Sequence, residues 1–218
     1  MPRNTDVLSP DRGLIFRITH VQNVRWILSN GLHCASSDVR DSEFVSIGNE
    51  DLINRRRSRP VPIAPFGTLA DYVPFYFTPF SPMFYNVHTG YGGITRRKNT
   101  EIVMLVSSLA RLEQSGTEFL LTDRHAVLET ATFFPSRSSL AEVIDYGLLR
   151  RKDFRLDPED PEKLEKYQAE ALVYKHMDVS ALVGIACDSE TIRMAIAEIA
   201  AEQGHSIHVR VREEWYFR

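Results

Sequence analysis

The chain has 218 residues, 43% of them hydrophobic and 25% charged, with a formal net charge of -3. That composition excludes a disordered or fibrous chain and sets one generous domain or two small ones with a real core. It also excludes a basic coat over the whole surface, although Arg55-Arg56-Arg57-Ser58-Arg59 and Arg96-Arg97-Lys98 leave room for a local basic groove.

The start, Met1-Pro2-Arg3-Asn4-Thr5-Asp6, is polar, so no signal peptide is expected, and no apolar run reaches membrane-spanning length. A strand is predicted over residues 14–19, leading into a helix over 21–30 that Gly31 closes. Cys34 and Cys187 lie far apart without Cys/His metal spacing, which favours a reducing, cytoplasmic setting and no metal. Residues 35–68 are polar and Arg-rich with no sustained period and read as a long loop, of the kind that is usually functional or disordered. Strands follow at 73–77, 101–107 and 118–122, then a second charged, loop-rich stretch over 135–166. Further strands are expected over 166–174 and 181–187. A helix over 189–203 carries Ile192, Ala195, Ile196 and Ile199 on one stripe, with Gly204 beyond its end. The last strand, 206–211, alternates Ile207, Val209 and Val211 with His208 and Arg210. The fold class is therefore α+β, a single domain over 1–218 with two long loops beside the candidate site.

The stretch Lys166-Tyr167-Gln168-Ala169-Glu170-Ala171-Leu172-Val173-Tyr174 carries most information. Read as a strand, it puts Gln168, Glu170, Leu172 and Tyr174 on one face, and apolar neighbours imply a desolvated carboxylate that needs a partner. The plain alternative is an edge-strand glutamate facing water. Arg17 and Thr19 share a strand face in Phe16-Arg17-Ile18-Thr19-His20 and offer donors to a pyrophosphate or amide; a salt bridge and a helix cap are the plain alternatives. In Asp71-Tyr72-Val73-Pro74-Phe75-Tyr76-Phe77-Thr78-Pro79-Phe80-Ser81-Pro82-Met83, the residues Tyr72, Phe75 and Phe77 read as core, and Ser81-Pro82 as a helix start. Thr122-Asp123-Arg124-His125 places proton-handling groups just after a strand, or else forms a capped turn with an exposed His. Gly90-Tyr91-Gly92-Gly93 lacks the strand–turn–helix context of a dinucleotide fingerprint, which disfavours dehydrogenase chemistry.

Taken in order, these stretches resemble the DarT family, toxins that ADP-ribosylate single-stranded DNA, and most of all its thymidine-modifying branch. The resemblance runs from about Gly13 to Glu214-Trp215-Tyr216 and includes Arg56-Arg57 before Pro60-Val61-Pro62. One departure is Arg17, where many relatives carry His. The resemblance implies an ADP-ribosyltransferase-like split mixed β-sheet core and transfer of ADP-ribose from NAD, a consumed substrate, to a thymine base with release of nicotinamide. It implies Glu170 as the carboxylate that steadies the ribosyl cation, and an arginine of the first loop, Arg56 with Arg57 as the alternative, beside the base. His125 would hold the base or relay its proton. NAD would be held by Arg17, Thr19, His20 and Tyr76, and DNA by Arg55, Arg57, Met83 and Gln168, with Arg59 in the same groove. The implied partners are single-stranded DNA and a macrodomain antitoxin, a DNA ADP-ribosyl glycohydrolase, with no membrane and no metal. Rival readings are a protein ADP-ribosyltransferase of Gln-x-Glu type and a non-catalytic module for single-stranded nucleic acid.

Overall fold

Runs of β-branched and aromatic residues build the centre of this protein, a computed structural model that describes residues 7–135 and 140–218. The polar start and residues 136–139 of the second long loop lie outside the described residues. Among the described residues ten strands form, in chain order β1 (Leu14–His20), β2 (Leu32–His33), β3 (Tyr72–Tyr76), β4 (Ile102–Ser108), β5 (Phe119–Thr122), β6 (Phe133–Phe134), β7 (Glu170–Tyr174), β8 (His176–Met177), β9 (Gly184–Cys187) and β10 (His208–Val211). Eight of them make one mixed sheet in the order β10-β9-β4-β1-β3-β7-β5-β6, while β2 and β8 pair separately. Every neighbouring pair of the large sheet is antiparallel except β9 and β10, which are joined by the helix Glu190–Glu202. The strand β4 is buried on both faces and reads as an unbroken apolar run for that reason. A smaller apolar cluster of Val61, Leu69, Tyr72, Leu120, Ala126, Val127, Phe133 and Leu172 lies under the turn that follows β5.

The sheet opens between β1 and β3, which share a single register pair, Phe16 with Tyr76. By contrast β1 pairs with β4 along its whole length, and β3 with β7. Pro74 accounts for the opening. In an extended strand the nitrogen and carbonyl of one residue point to the same side, so Pro74 presents a nitrogen without a hydrogen towards β1. Its carbonyl is satisfied instead by Arg17, whose Nη1 donates to Pro74 O at 2.9 Å across the gap. A side chain thus replaces a ladder bond, and a cleft forms where two strands would otherwise zip.

The predicted strand and helix at 14–30 form, with a 3-10 turn over Val21–Asn23 before the helix α1 (Val24–Asn30). Gly31 closes α1 at φ 79°, a conformation open to glycine. Tyr72, Phe75 and Phe77 are core, and Ser81 caps the helix Pro82–Thr89 by accepting from the Phe84 amide. Several expectations need correcting. Residues 35–68 are not loop throughout: they contain the helix α2, Glu50–Ser58. This helix buries no residue and so shows no apolar period; its N-cap Asn49 accepts from Leu52 N, and its acidic start and basic end suit the helix dipole. The strand at Glu170 is shorter than expected, because residues 163–166 are helical and residues 167–169 turn, with Gln168 N donating to Glu165 O. Gln168 and Glu170 therefore do not share a strand face. Towards the C-terminus, the strand expected from 181 starts at Gly184 after a 3-10 turn, and Ala195 on the following helix is exposed while Ala200 is buried. Among the described residues no helix is long and apolar enough to cross a membrane.

Since caps rather than packing hold α2, Asn49→Ala should lower its local stability by about 1 kcal/mol, and Asn49→Asp should not. Hydrogen exchange of the α2 amides, compared with those of β4, checks this.

Candidate active site

Glu170 opens β7 directly opposite Tyr76 of β3, at the lip of the split. Its side chain is fully buried. A charge in that position is tolerated only if donors meet it, and three do. Oε2 accepts from Arg56 Nη1 at 2.9 Å. Oε1 accepts from the Ala126 amide at 3.2 Å and lies 3.1 Å from His125 Nδ1. The Val127 amide also points at His125 Nδ1, at 3.4 Å, and makes the opposite demand on that nitrogen. The shorter contact to an anion prevails, so Nδ1 carries the hydrogen and donates to Glu170, which leaves Nε2 with a lone pair in the neutral ring. Burial alone would raise the Glu170 pKa; the Arg56 charge and the His125 hydrogen bond outweigh it and hold the carboxyl down at about 2. Glu170 is thus an anion throughout the neutral range.

Each donor is placed by its own segment. Arg56 sits on the inward face of α2, while Arg55 and Arg57 project about 100° to either side and are exposed. Arg57 bonds Asn54 Oδ1 at 3.2 Å and does not reach Glu170, which separates the two arginines that the sequence left as alternatives. Arg56 Nη2 is buried without a partner, so this guanidinium holds donor capacity in reserve. His125 and Ala126 belong to the turn after β5, which Thr122 anchors: its hydroxyl donates to Arg124 O at 2.7 Å and accepts from Glu170 N at 3.1 Å.

Above this carboxylate lies a cleft of about 410 Å³ lined by Arg17, Thr19, Arg56, Tyr76, Met83, His125 and Gln168, among others. Glu170 is not part of the lining; Arg56 and His125 cover it. Arg17 is lowered to about 10, by burial first and then by the nearby Arg56 charge, and stays cationic at neutral pH. The two guanidinium groups against one carboxylate leave one positive charge in excess, which suits an anionic ligand. The Tyr76 hydroxyl, 4.0 Å from Met83 Sδ, is pushed up by burial and then by Glu170, so it stays neutral. His20 stands apart from this group. Its Nδ1 accepts from Gln22 N and its Nε2 lies 3.6 Å from Glu101, which makes it a helix-start cap and not a cleft residue.

Sequence reasoning missed several residues that shape the cleft. The buried Asn23 donates to Thr19 Oγ1 at 3.0 Å and to Val45 O at 2.9 Å, and accepts from Val45 N, fastening the first long segment to β1. Asp71 accepts from Ser36, Lys175 and Thr68 N; burial opposes its charge, but the Lys175 and Ser36 bonds hold its carboxyl well below the usual range. The Ala126 amide is a backbone donor, which no residue type announces. Asn23 gave one faint signal, a polar residue inside an otherwise apolar helical stripe.

A split mixed sheet with a buried, ionised glutamate beneath a cationic cleft defines an ADP-ribosyltransferase-like core. Residues 16–217 match the family model described as ssDNA thymidine ADP-ribosyltransferase, DarT, and the chain belongs to that family. It is 47% identical over 210 residues to a DNA ADP-ribosyl transferase of Escherichia coli O127:H6, covering 96% of both chains. Its structure is similar to that of Thermus sp. 2.9 DarT in complex with ADP-ribosylated ssDNA, with TM-score 0.86, 33% identity and coverage of 95% of this chain and 98% of that one. The same Thermus protein in complex with NAD+ aligns with TM-score 0.79 and 32% identity over 95% of this chain and 99% of the other.

If Arg56 keeps Glu170 ionised, Arg56→Gln should raise the carboxyl's pKa and cost roughly 3 kcal/mol, the scale for stranding a buried charge. The sign follows from linkage. In the wild type the carboxylate stabilises the fold above the unfolded value of 4.5, a contribution lost only as pH falls towards about 2. In Arg56→Gln the folded value moves up towards or past 4.5, so that contribution shrinks or reverses, and stability should fall less, or even rise, as pH drops from 6 to 4. Urea unfolding across pH 4 to 8 measures it.

Proposed function

We propose that this protein transfers ADP-ribose from NAD to a thymine base in single-stranded DNA and releases nicotinamide, with Glu170 as the group on which catalysis turns. The observation that carries this reading is the buried, ionised carboxylate at the sheet's split. Breaking the bond between ribose C1′ and nicotinamide leaves the bonding pair on nicotinamide and positive charge on the sugar. A preorganised anion in a dry site stabilises that charge at no cost in reorganisation. Three of the roughly four acceptor directions of the carboxylate are already filled. The free direction is on Oε2, but the carboxylate is fully buried with Arg56 over it, so Arg56 must swing aside for a ribose 2′-hydroxyl to reach it.

That swing gives Arg56 its second role. The thymine ring nitrogen becomes a nucleophile only as it loses its proton, and negative charge then spreads over the base oxygens. An arginine released from Glu170, with Nη2 already free to donate, can meet that charge; as a permanent cation it does not take the proton. The lone pair on His125 Nε2 is suited to take it. The new bond joins the ring nitrogen to C1′, the proton passes to His125 and then to water, and nicotinamide departs neutral. In this scheme Arg17 and Thr19 bind NAD, while Tyr76 and Met83 form an apolar wall and Gln168 contacts the base. His20, which caps the turn after β1, is left out of the direct contacts in this scheme. Arg55 and Arg57, exposed on either side of Arg56, face the phosphates of the strand; single strands need no unpairing to deliver a base.

The further reading is a single domain acting in the cytoplasm, consistent with the two buried free cysteines. Modified thymines block replication, so the cell needs a macrodomain partner that removes them, making a toxin–antitoxin pair.

Glu170→Gln keeps the shape and removes the charge. It should lower nicotinamide release by roughly a hundredfold to a thousandfold with the circular dichroism unchanged; release at the wild-type rate from a folded variant would refute the assignment. Oligonucleotide binding should weaken with salt, and the Arg55→Gln/Arg57→Gln protein should flatten the log–log slope by about 1.4, from two lost phosphate contacts on a single strand. Filter binding over a salt series reads it.

A further inference from the structure

Arg59 closes the arginine run, and its geometry differs from that of Arg55 and Arg57. It is partly buried and caps the C-terminus of α2, its amide donating to Arg55 O. Its carbonyl accepts from Leu69 N at 2.9 Å, which fixes the backbone of this residue against the turn before β3. Its side chain turns inward: Nη2 donates to Leu128 O at 3.0 Å, and Nε is buried without a partner. Leu128 closes the turn that presents His125 and the Ala126 amide to Glu170, and Leu128 N in turn donates to His125 O. Beneath this strap Val61 and Leu69, next along the chain, pack against Ala126 and Val127 in the smaller apolar cluster.

We propose that Arg59 is a positioning residue for the reaction: it straps the helix carrying Arg56 to the turn carrying His125, and so holds all donors of Glu170 in register. It is not a phosphate contact. The physical reason is the separation of those donors in sequence. Arg56 and Ala126 reach one carboxylate from segments about seventy residues apart, with no sheet ladder between α2 and the turn. A cation that donates to a backbone carbonyl couples them whatever side chain stands at position 128. A guanidinium is suited to this, since it holds donors at a fixed angle on a long stem. This inference rests on the proposed chemistry for its kinetic consequence and on geometry alone for the strap.

The test uses the whole protein and two readouts, one of which needs no substrate. Arg59→Met keeps an apolar stem and removes the donors and the charge. Hydrogen exchange at the Ala126 amide should speed up by about tenfold, while the Leu172 amide in β7 keeps its protection. The kcat for nicotinamide release with oligonucleotide should fall by roughly tenfold to a hundredfold, the scale for a slight misplacement of reacting groups, with KM for NAD within about twofold. The salt slope for oligonucleotide binding should stay at the wild-type value. Unchanged Ala126 exchange overturns the strap, and so does a salt slope flatter by about 0.7, which marks a lost phosphate contact. If Arg59→Met does not fold, Arg59→Lys decides by the same readings: it keeps the charge but not the fork, so wild-type kcat and exchange there overturn the proposal. A wild-type protein inactive on DNA would refute the transfer chemistry, while the exchange result would still decide the strap.

Discussion

A carboxylate with no exposed surface has to be solvated by the protein itself, and the arrangement of this molecule follows from how Glu170 is solvated. Its three donors come from a helix in the first long segment, from the turn after β5 and from that turn's backbone. None of these segments has an extensive apolar face of its own; α2 buries no residue at all. Their placement depends on caps, on anchoring side chains such as Thr122 and Asn23, and on the charge they surround. The anion, the helix α2 and the turn after β5 therefore stabilise one another. Removing the charge relaxes the demand for order, and removing a donor strands a charge that cannot reach water.

The cleft above the anion exists because one strand pairing is incomplete. Pro74 denies β1 a donor and Arg17 supplies a side-chain bond in its place, so β1 and β3 part beyond their one shared pair, Phe16 with Tyr76, next to which Glu170 stands on β7. The same arginine supplies positive charge to the opening. A structural substitution for a missing ladder bond and a binding group for an anionic ligand are thus one residue. This explains why arginine is workable at position 17, where the side chain must both span the gap and keep its charge when partly buried.

Much of the fold was legible because its strands and its last helix bury a face and so carry a period. The apolar run of β4 and the helix closed before Gly204 appear as expected, and the last strand keeps its alternation but starts at His208, not at 206. What escaped detection has the opposite character. The helix α2 is held by Asn49 and by end charges, and a search for apolar spacing passes over it, although the N-cap and acidic first turn were present in the residues. The Gln168–Glu170 pair was read as one strand face, yet local turn bonds from Gln168 to Glu165 and Leu164 override the strand pattern. Glu170 stood out as a carboxylate among apolar neighbours, Arg56 and His125 took their roles from the family resemblance, and the structure brings those three together. His20 was chosen for the same reason and lies elsewhere, because strand direction past a sheet edge cannot be read from composition. The donor at Ala126 was beyond the reach of any residue-based reading.

The account stands on the ionisation of one side chain in the intact protein. The most direct measurement is a carbon-13 NMR titration of the glutamate side-chain carboxyls, with the Glu170 resonance assigned by its loss in a Glu170 variant. The account predicts that this resonance stays at the ionised position down to pH 4, where solvent-exposed glutamates are already taking up protons. A midpoint for Glu170 at or above the ordinary value would mean that the site holds a neutral acid, and the electrostatic stabilisation described here would be absent.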